Sequence, residues 1–287
     1  MSIRNRINTL CLIILSMLVV AGYNYREPQP TVPVSCTLEV ADTYSYFLID
    51  SILQYGLDHE ALYTLLANVK PMSDLVDFVF YIDNTNSALN ISSNFLTTGG
   101  LDNFDRFLTI QKAVNLIQIP DIKVVMNPFW RNPKILSVQL KAVRISSLDS
   151  LLKAKKNFFG QFGFVPGSDP YLVVNTIEFS DLYERTRGYG YLYGFPDYAV
   201  DYFVEHYKNA VSTGKFGESN FFRISDYSNK TNNFAYAYPK NAKPTSVDSV
   251  LYYRANSVLE QYRKIRPAYT NADGTVRAYE LLIDLSR

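Results

Sequence analysis

The chain has 287 residues, 47% of them hydrophobic, so it can bury a core of its own without disulfides or metals. Its 28 Lys and Arg side chains nearly balance its 27 Asp and Glu side chains. This balance argues against a nucleic-acid-binding protein, because phosphate contacts need an excess of basic residues clustered on one face.

The N-terminal residues have the pattern of a secretory signal. Arg4 and Arg6 precede an uncharged apolar run from Leu10 to Gly22 (LCLIILSMLVVAG), the order typical of such signals. We predict a signal peptide over residues 1–25, or a membrane anchor that uses residues 7–25. A buried core helix is the alternative. The protein is therefore expected to be exported to the periplasm, the cell surface or the medium, touching the membrane only through this segment.

The segment that follows, residues 26–36, is rich in proline. Pro28, Pro30 and Pro33 favour an extended path over a helix. We interpret the segment as a tether between the N-terminal residues and a folded domain. Cys36 is the one cysteine beyond the apolar run, so the exported part cannot form an internal disulfide.

The predicted domain, residues 37–287, begins with helical periodicity. Two helices are predicted between Asp42 and Val69, with Asp58 as the N-cap of the second. The run from Leu75 to Ile82 (LVDFVFYI) is apolar almost throughout, which fits a buried strand or a buried helix. A polar, turn-rich segment over residues 83–100 is predicted to be a loop.

The remaining segments mix helical and strand patterns. Predicted helices cover residues 104–119, 148–159 and 247–265, predicted strands cover 122–126, 136–145 and 171–177, and residues 222–227 and 234–238 are predicted to pair as a hairpin. Apolar and polar side chains alternate in residues 136–145, so we expect one face of that strand to contact solvent. No fixed-period repeat is present. The sequence therefore predicts a single mixed α+β domain in which helices slightly outnumber strands.

Motifs for common catalytic chemistries are incomplete in this sequence. The two histidines, His59 and His206, lack a metal-binding spacing such as H-E-x-x-H, so we expect no metal site and no cofactor. The nucleophile motif G-x-S-x-G is missing. The S-x-x-K match at Ser150 and Lys153 lacks the companion motifs of penicillin-binding enzymes.

The segment from Arg185 to His206 combines arginines, glycines, aromatic residues and carboxylates. A tyrosine recurs at every second position before Pro196, which we interpret as a tyrosine-rich strand followed by the start of a helix. On that helix Asp197, Asp201 and Glu205 recur every four residues and share one face. Such a face usually contacts solvent, although neighbouring carboxylates can also bind a cation or act as acid and base.

This segment is the predicted ligand-binding site. A helix N-terminus behind two arginines suits an anionic or hydroxyl-rich ligand, and aromatic rings supply stacking area. The alternative is that the glycines only allow a tight strand-to-helix corner. The candidate ligand-binding residues are Arg185, Arg187, Tyr189, Tyr191, Asp197 and Asp201.

Three short motifs carry a resemblance to other proteins. Residues 61–65 (ALYTL), 70–73 (KPMS) and 190–204 (GYLYGFPDYAVDYFV) resemble segments of uncharacterised exported bacterial proteins. The resemblance implies export but no particular activity, and no functional residue is transferred from it.

Two functions of different class are consistent with the sequence. The first is an exported cell-envelope protein that binds a ligand or a protein partner without catalysis, favoured because no catalytic motif is complete. The alternative is a carboxylate-dependent hydrolase acting outside the cytoplasm. The position of the carboxylates distinguishes the two, because catalytic carboxylates converge in a concave pocket with perturbed pKa values.

Overall fold

Helices and two antiparallel sheets form the part of the chain that the computed structural model describes, residues 38–81, 100–132, 135–215, 217–228 and 234–287. Val40–Arg287 is one compact unit, and the predicted mixed α+β arrangement is confirmed. The predicted signal or anchor, the tether and nearly all of the 83–100 loop lie outside the described residues. Across the described ranges, no helix is both long enough and apolar enough to cross a membrane.

The elements of the described ranges are numbered in chain order. The α-helices are α1 (Leu38–Asp58), α2 (Leu62–Leu65), α3 (Gly100–Leu116), α4 (Ile145–Ala154), α5 (Lys156–Phe159), α6 (Pro170–Glu178), α7 (Leu182–Leu192), α8 (Asp197–Thr213), α9 (Ser246–Ile265) and α10 (Ala278–Leu285). The strands are β1 (Met72–Tyr81), β2 (Ile122–Asn132), β3 (Ile135–Arg144), β4 (Ser219–Ile224) and β5 (Phe234–Pro239). Short 3₁₀ turns follow α5 at Gly160–Phe162 and α9 at Arg266–Tyr269.

The larger sheet has three antiparallel strands in the order β1-β3-β2, so β3 is central. Val138 of β3 pairs with Phe78 of β1, and Leu140 of β3 pairs with Met126 of β2. The apolar run for which the sequence left helix and strand open is therefore a strand, paired with β3 along most of its length.

One face of this sheet carries the main apolar core. Val138, Leu140 and Ala142, alternate residues of β3, are completely buried there. Apolar side chains of α1, α3, α9 and α10 pack against them. Full burial of a leucine-sized side chain stabilises the fold by roughly 1.5–3 kcal/mol, so this layer accounts for much of the stability.

The opposite face packs against α4 and α6 to α8, and part of it is polar. Met72 and Val143 belong to its apolar part. Ser137 and Lys141, polar residues of the alternating pattern, are only 0% and 1% exposed. The expectation that this face contacts solvent is therefore wrong. Lys141 is tolerated in the interior because the Asp74 carboxylate lies 2.5 Å from its Nζ.

Residues 171–177 form helix α6 and not the predicted strand. Asp169 caps this helix by accepting a hydrogen bond from the Tyr171 amide at 2.8 Å, and Pro170 occupies the first turn. An Asp-Pro start is a helix signal, and here it outweighs the β-branched apolar residues that suggested a strand.

Asp58 lies at the end of α1 and does not cap the next helix, so that prediction is also wrong. Its carboxylate accepts hydrogen bonds from the Tyr262 hydroxyl at 2.9 Å and from Arg266 Nε at 3.1 Å. The Asp58 carboxylate, which the sequence pattern predicted to cap the next helix, is therefore hydrogen-bonded to residues in the C-terminal part of the chain.

Five further predicted helices and strands are present. Residues 104–119 fall mainly in α3, and 148–159 divide between α4 and α5. Residues 122–126 fall in β2, 136–145 fall in β3 apart from Ile145, and 247–265 fall in α9. The predicted hairpin is confirmed as β4 and β5, with Phe222 opposite Tyr236. Helix α9 begins with a capping box formed by Thr245 and Asp248.

Candidate functional site

The corner between α7 and α8 depends on glycines. A Cβ on Gly188 would lie 2.7 Å from Ile177, and one on Gly190 would lie 2.8 Å from Val200, so glycine allows both close approaches. Gly194 ends α7 with a φ of 74°, which glycine adopts without strain. The corner joins two helices, and the predicted tyrosine-rich strand is wrong.

A cavity of about 350 Å³ lies between this corner and the β4–β5 hairpin, and we call it the aromatic cleft. The aromatic side chains that line it are those of Tyr189, Tyr193, Phe195, Phe203, Phe221 and Tyr236. Ala199 of α8 and Ala235 of β5 also line it, and their short side chains leave the space open. Both the volume and the aromatic lining are typical of small-molecule sites.

The three tyrosines of the cleft use their hydroxyl groups to bind carboxylates outside its lining. These donor-to-acceptor distances are 2.5–2.8 Å, and the bonds run from Tyr189 to Glu178, from Tyr193 to Asp74 and from Tyr236 to Asp248. Burial, and then the neighbouring carboxylates, raise the pKa of each phenol. The hydroxyls therefore stay protonated at neutral pH and are already engaged as donors.

Arg185 is the single charged residue among the described residues that line the aromatic cleft. Its side chain is 40% exposed. Nη1 lies 3.7 Å from a carboxylate oxygen of Glu178 and 3.5 Å from the Glu178 carbonyl oxygen, and both contacts are long. The neighbouring Thr186 donates its hydroxyl to the Leu182 carbonyl at 2.7 Å.

The six predicted ligand-binding residues divide between two places. Arg185 and Tyr189 line the aromatic cleft. Arg187 and Tyr191, each two positions further along α7, point to a different side of the helix because successive residues rotate by about 100°. There Arg187 Nη1 donates to Asp201 and, at 3.1 Å, to the Tyr191 hydroxyl.

The predicted carboxylate stripe of α8 faces solvent. The side chains of Asp197, Asp201 and Glu205 are 62%, 60% and 62% exposed. Asp197 is ion-paired with Lys155, and Glu205 with Lys208. None of the three carboxylates lines the aromatic cleft, so they do not form an acid and base pair there.

Two buried lysines, Lys70 and Lys141, lie behind the cleft wall, and nothing in the sequence pattern indicated them. Lys141 Nζ lies 3.0 Å from the Tyr193 hydroxyl and also contacts Asp74. Lys70 Nζ lies 2.6 Å from Glu60 and 5.2 Å from the centre of the Tyr193 ring. Lys141 and Asp74 therefore hold the Tyr193 hydroxyl in place, and the Lys70 ammonium lies beside the Tyr193 ring.

A second cavity, of about 320 Å³, lies at the edge strand β1 and is polar. A bulge interrupts the β1 register between Asp74 and Asp77, which pair with Lys141 and Gln139 of β3. The extra residue places these two aspartates on the same face although they are three positions apart. Asp74, Asp77 and Gln139 line this cavity together with Glu60.

Glu60 contributes a buried carboxyl group to the polar cavity. Burial raises its pKa above the ordinary value, and the nearby Lys70 opposes that shift. Its Oε2 accepts from Lys70 Nζ at 2.6 Å, and its Oε1 accepts from the Asp74 amide at 3.4 Å. Both carboxyl oxygens are therefore engaged within the protein.

Across the described ranges, no group of histidine, cysteine, aspartate and glutamate side chains is arranged to hold a metal ion. No family model, no curated protein and no solved structure matches the chain.

Proposed function

We propose that the chain is an exported, non-catalytic binding protein whose aromatic cleft takes a small and largely apolar molecule. The observation that carries the proposal is the cleft of about 350 Å³ walled by aromatic rings. At roughly 30 Å³ for each water-sized group, this space suits a ligand of about a dozen non-hydrogen atoms. Export is supported by the charged and apolar N-terminal pattern of the sequence.

The chemistry of the lining supports binding over catalysis. The tyrosine hydroxyls are engaged by carboxylates, and the Thr186 hydroxyl is engaged by a carbonyl oxygen. Among the described lining residues there is no serine, cysteine, histidine or carboxylate that could act as nucleophile or base. Rings supply apolar contact area for a ligand, and the engaged hydroxyls keep those rings in place.

Fluorescence titration of the purified protein with naphthamide, a neutral bicyclic probe, tests this proposal. We expect a dissociation constant on the order of 10–100 μM for a ligand of this size. Phe221→Ala, which removes part of the cleft wall, should weaken binding about 3- to 10-fold. Phe179→Ala is the matched control, because Phe179 is an exposed ring at 69% that does not line the cleft. Failure of the native protein to bind would refute the proposal, as would equal losses in both variants.

A carboxylate-dependent hydrolase is the second candidate, and one observation favours it. Glu60 lies in the polar cavity with Asp74, and burial raises the pKa of Glu60, as a general acid requires. We rank it second because both oxygens of Glu60 already accept hydrogen bonds from Lys70 and the Asp74 amide.

A panel of chromogenic glycoside, ester and phosphoester substrates separates the two candidates. A hydrolase of this kind should lose at least about 100-fold of its activity in Glu60→Gln, because a positioned acid contributes that much. It should retain activity in Asp197→Asn, whose side chain is exposed at 62%. No turnover by the native protein on the whole panel is the result expected for a binding protein.

A further inference from the structure

We infer that the ligand of the aromatic cleft is an organic anion, a carboxylate on an apolar ring body, and that Arg185 recognises its charge. This inference rests on the proposed binding function and adds the chemical class of the ligand. The hydroxyl groups of the cleft already donate hydrogen bonds within the protein, whereas Arg185 can bind a new partner.

The hydroxyl donors of the cleft are already committed. Tyr189, Tyr193 and Tyr236 donate to carboxylates at 2.5–2.8 Å. Thr186 donates to the Leu182 carbonyl at 2.7 Å. A ligand that needed a donor from one of these tyrosine hydroxyls would have to break a charge-assisted hydrogen bond, which is among the stronger kinds in proteins.

Arg185 differs from those groups because its contacts are few and long. Within the described residues, both of its side-chain contacts are made by Nη1 to Glu178, at 3.5 Å and 3.7 Å. A guanidinium presents five N–H donors in a planar fork, and the edge formed by Nε and Nη2 matches a carboxylate in bidentate geometry. The Arg185 side chain is 40% exposed and lies beside apolar walls, so its guanidinium can receive an anion from solvent.

Arg187 provides a natural comparison on the same helix. Its Nη1 donates to Asp201 and to the Tyr191 hydroxyl, and its side chain is 26% exposed. It does not line the aromatic cleft. These two arginines, two positions apart on α7, therefore differ in surroundings, and of the two only Arg185 lines the cleft.

Glu178 tunes the affinity for the anion. Its carboxylate, 14% exposed, accepts from Tyr189 and lies near Arg185, so it competes with an incoming carboxylate for the guanidinium. Replacing it with glutamine removes the competing charge and keeps an oxygen that can accept from Tyr189. Glu178→Gln is therefore expected to strengthen anion binding while the cleft wall is maintained.

The test compares naphthoate with its neutral counterpart naphthamide by fluorescence titration at neutral pH. The native protein should bind naphthoate about 10-fold more tightly, as expected for one charge-assisted contact. In Arg185→Gln the two probes should bind with equal affinity, because the charge that distinguishes them is gone. Arg187→Gln should keep the preference, and Glu178→Gln should increase it about 3-fold or more.

The outcomes separate this inference from the function on which it rests. Binding of naphthamide with no preference for naphthoate would overturn the inference and leave the proposed binding function standing. Binding of neither probe by the native protein would overturn both. Equal loss of preference in Arg187→Gln and Arg185→Gln would also overturn it, because the charge would then act through the surface as a whole.

Discussion

Asp248 links the cleft wall to the start of α9. It has no exposed surface and accepts hydrogen bonds from the hydroxyls of Tyr198 and Tyr236, at 2.6 Å and 2.5 Å, and from the Thr245 amide. Asp248→Ala leaves those donors without their acceptor, so we expect a loss of about 2–4 kcal/mol in the free energy of unfolding, measured by urea denaturation. Asp197→Ala, at an exposed ion pair, should cost less than about 1 kcal/mol. Similar losses in both variants would contradict this.

The same carboxylate predicts a pH dependence. Burial raises the pKa of Asp248, but donations from Tyr198, Tyr236 and Thr245 together lower it further, so it lies below its ordinary value. Such a group adds stability that is complete above the unfolded-state pKa of about 3.9 and is lost as pH falls through the folded value. The free energy of unfolding of the native protein should therefore exceed that of Asp248→Asn by its largest amount at neutral pH. This difference should shrink below about pH 4. A difference that stays constant across denaturation curves from neutral to acidic pH would contradict the assignment.

Lys70 and Glu60 form a buried ion pair in which each charge depends on the other. Lys70 is completely buried and its Nζ lies 2.6 Å from Glu60. Lys70→Met leaves the Glu60 carboxylate buried without its partner charge, so it should lower the free energy of unfolding by about 3–5 kcal/mol. Adding Glu60→Gln to that variant should recover a large part of the loss, since it removes the stranded charge. Denaturation of the four proteins of this double-mutant cycle measures the coupling, and additive losses would show that the pair is not coupled.

At the scale of elements, the two glycines of α7 determine how closely helices approach around the cleft. Gly190→Ala places a Cβ 2.8 Å from Val200 and should destabilise the protein by about 1–3 kcal/mol. Val200→Ala should partly relieve that penalty, and thermal denaturation of the single and double variants measures it. Gly160→Ala is the matched control, because no atom lies within 4 Å of a Cβ at Gly160 and its φ is −65°. Equal effects at the two glycines would contradict the packing argument.

The tyrosine-rich segment shows why periodicity alone misassigned an element. Tyrosines at every second position fit a strand, but in helix α7 Tyr189 lies one turn before Tyr193 and stacks on it at 5.6 Å. Tyr191 turns to the other side and packs its ring at 5.5 Å from that of Phe158. All three rings therefore have packing partners, on two sides of the helix, and alternation in the sequence does not indicate those partners.

Strand β3 gives the complementary case. Its alternating pattern correctly predicted a strand and its apolar face, but the polar positions were expected in solvent. Lys141 is instead covered by helices and stabilised by Asp74 of β1 and Tyr193 beyond α7. These partners lie 67 and 52 residues from Lys141, so a local pattern could not indicate them.

For the molecule as a whole, elements with strong local sequence patterns were predictable. Surfaces formed by segments that lie far apart in the sequence were not. The β4–β5 hairpin and α9 were predicted from alternation and helical periodicity. The segment from Arg185 to His206 supplies one wall of the aromatic cleft, and Phe221 and Tyr236 of the hairpin supply the other. That second wall depends on how distant segments pack, which no motif in either segment encodes.

Export remains a prediction of the N-terminal sequence. We expect the protein expressed in a bacterial host to be found outside the cytoplasm by fractionation, because Arg4 and Arg6 precede the apolar run. Replacing both arginines with glutamate should retain much of the protein in the cytoplasm. Arg26→Glu, beyond the apolar run, is the control and should leave export unchanged. An intact, soluble native chain in the cytoplasm would contradict the prediction.

The central claim, that the aromatic cleft is the ligand site, is tested most directly by photolabelling. A naphthyl diazirine is activated on the native protein, and the labelled residues are mapped by mass spectrometry with excess naphthamide as competitor. We predict competed labels at Phe203, Phe221 and Ala235, which line the cleft. Competed labels concentrated at Leu172 and Phe179, on an open groove beside α6, or labelling that naphthamide does not compete, would contradict the claim.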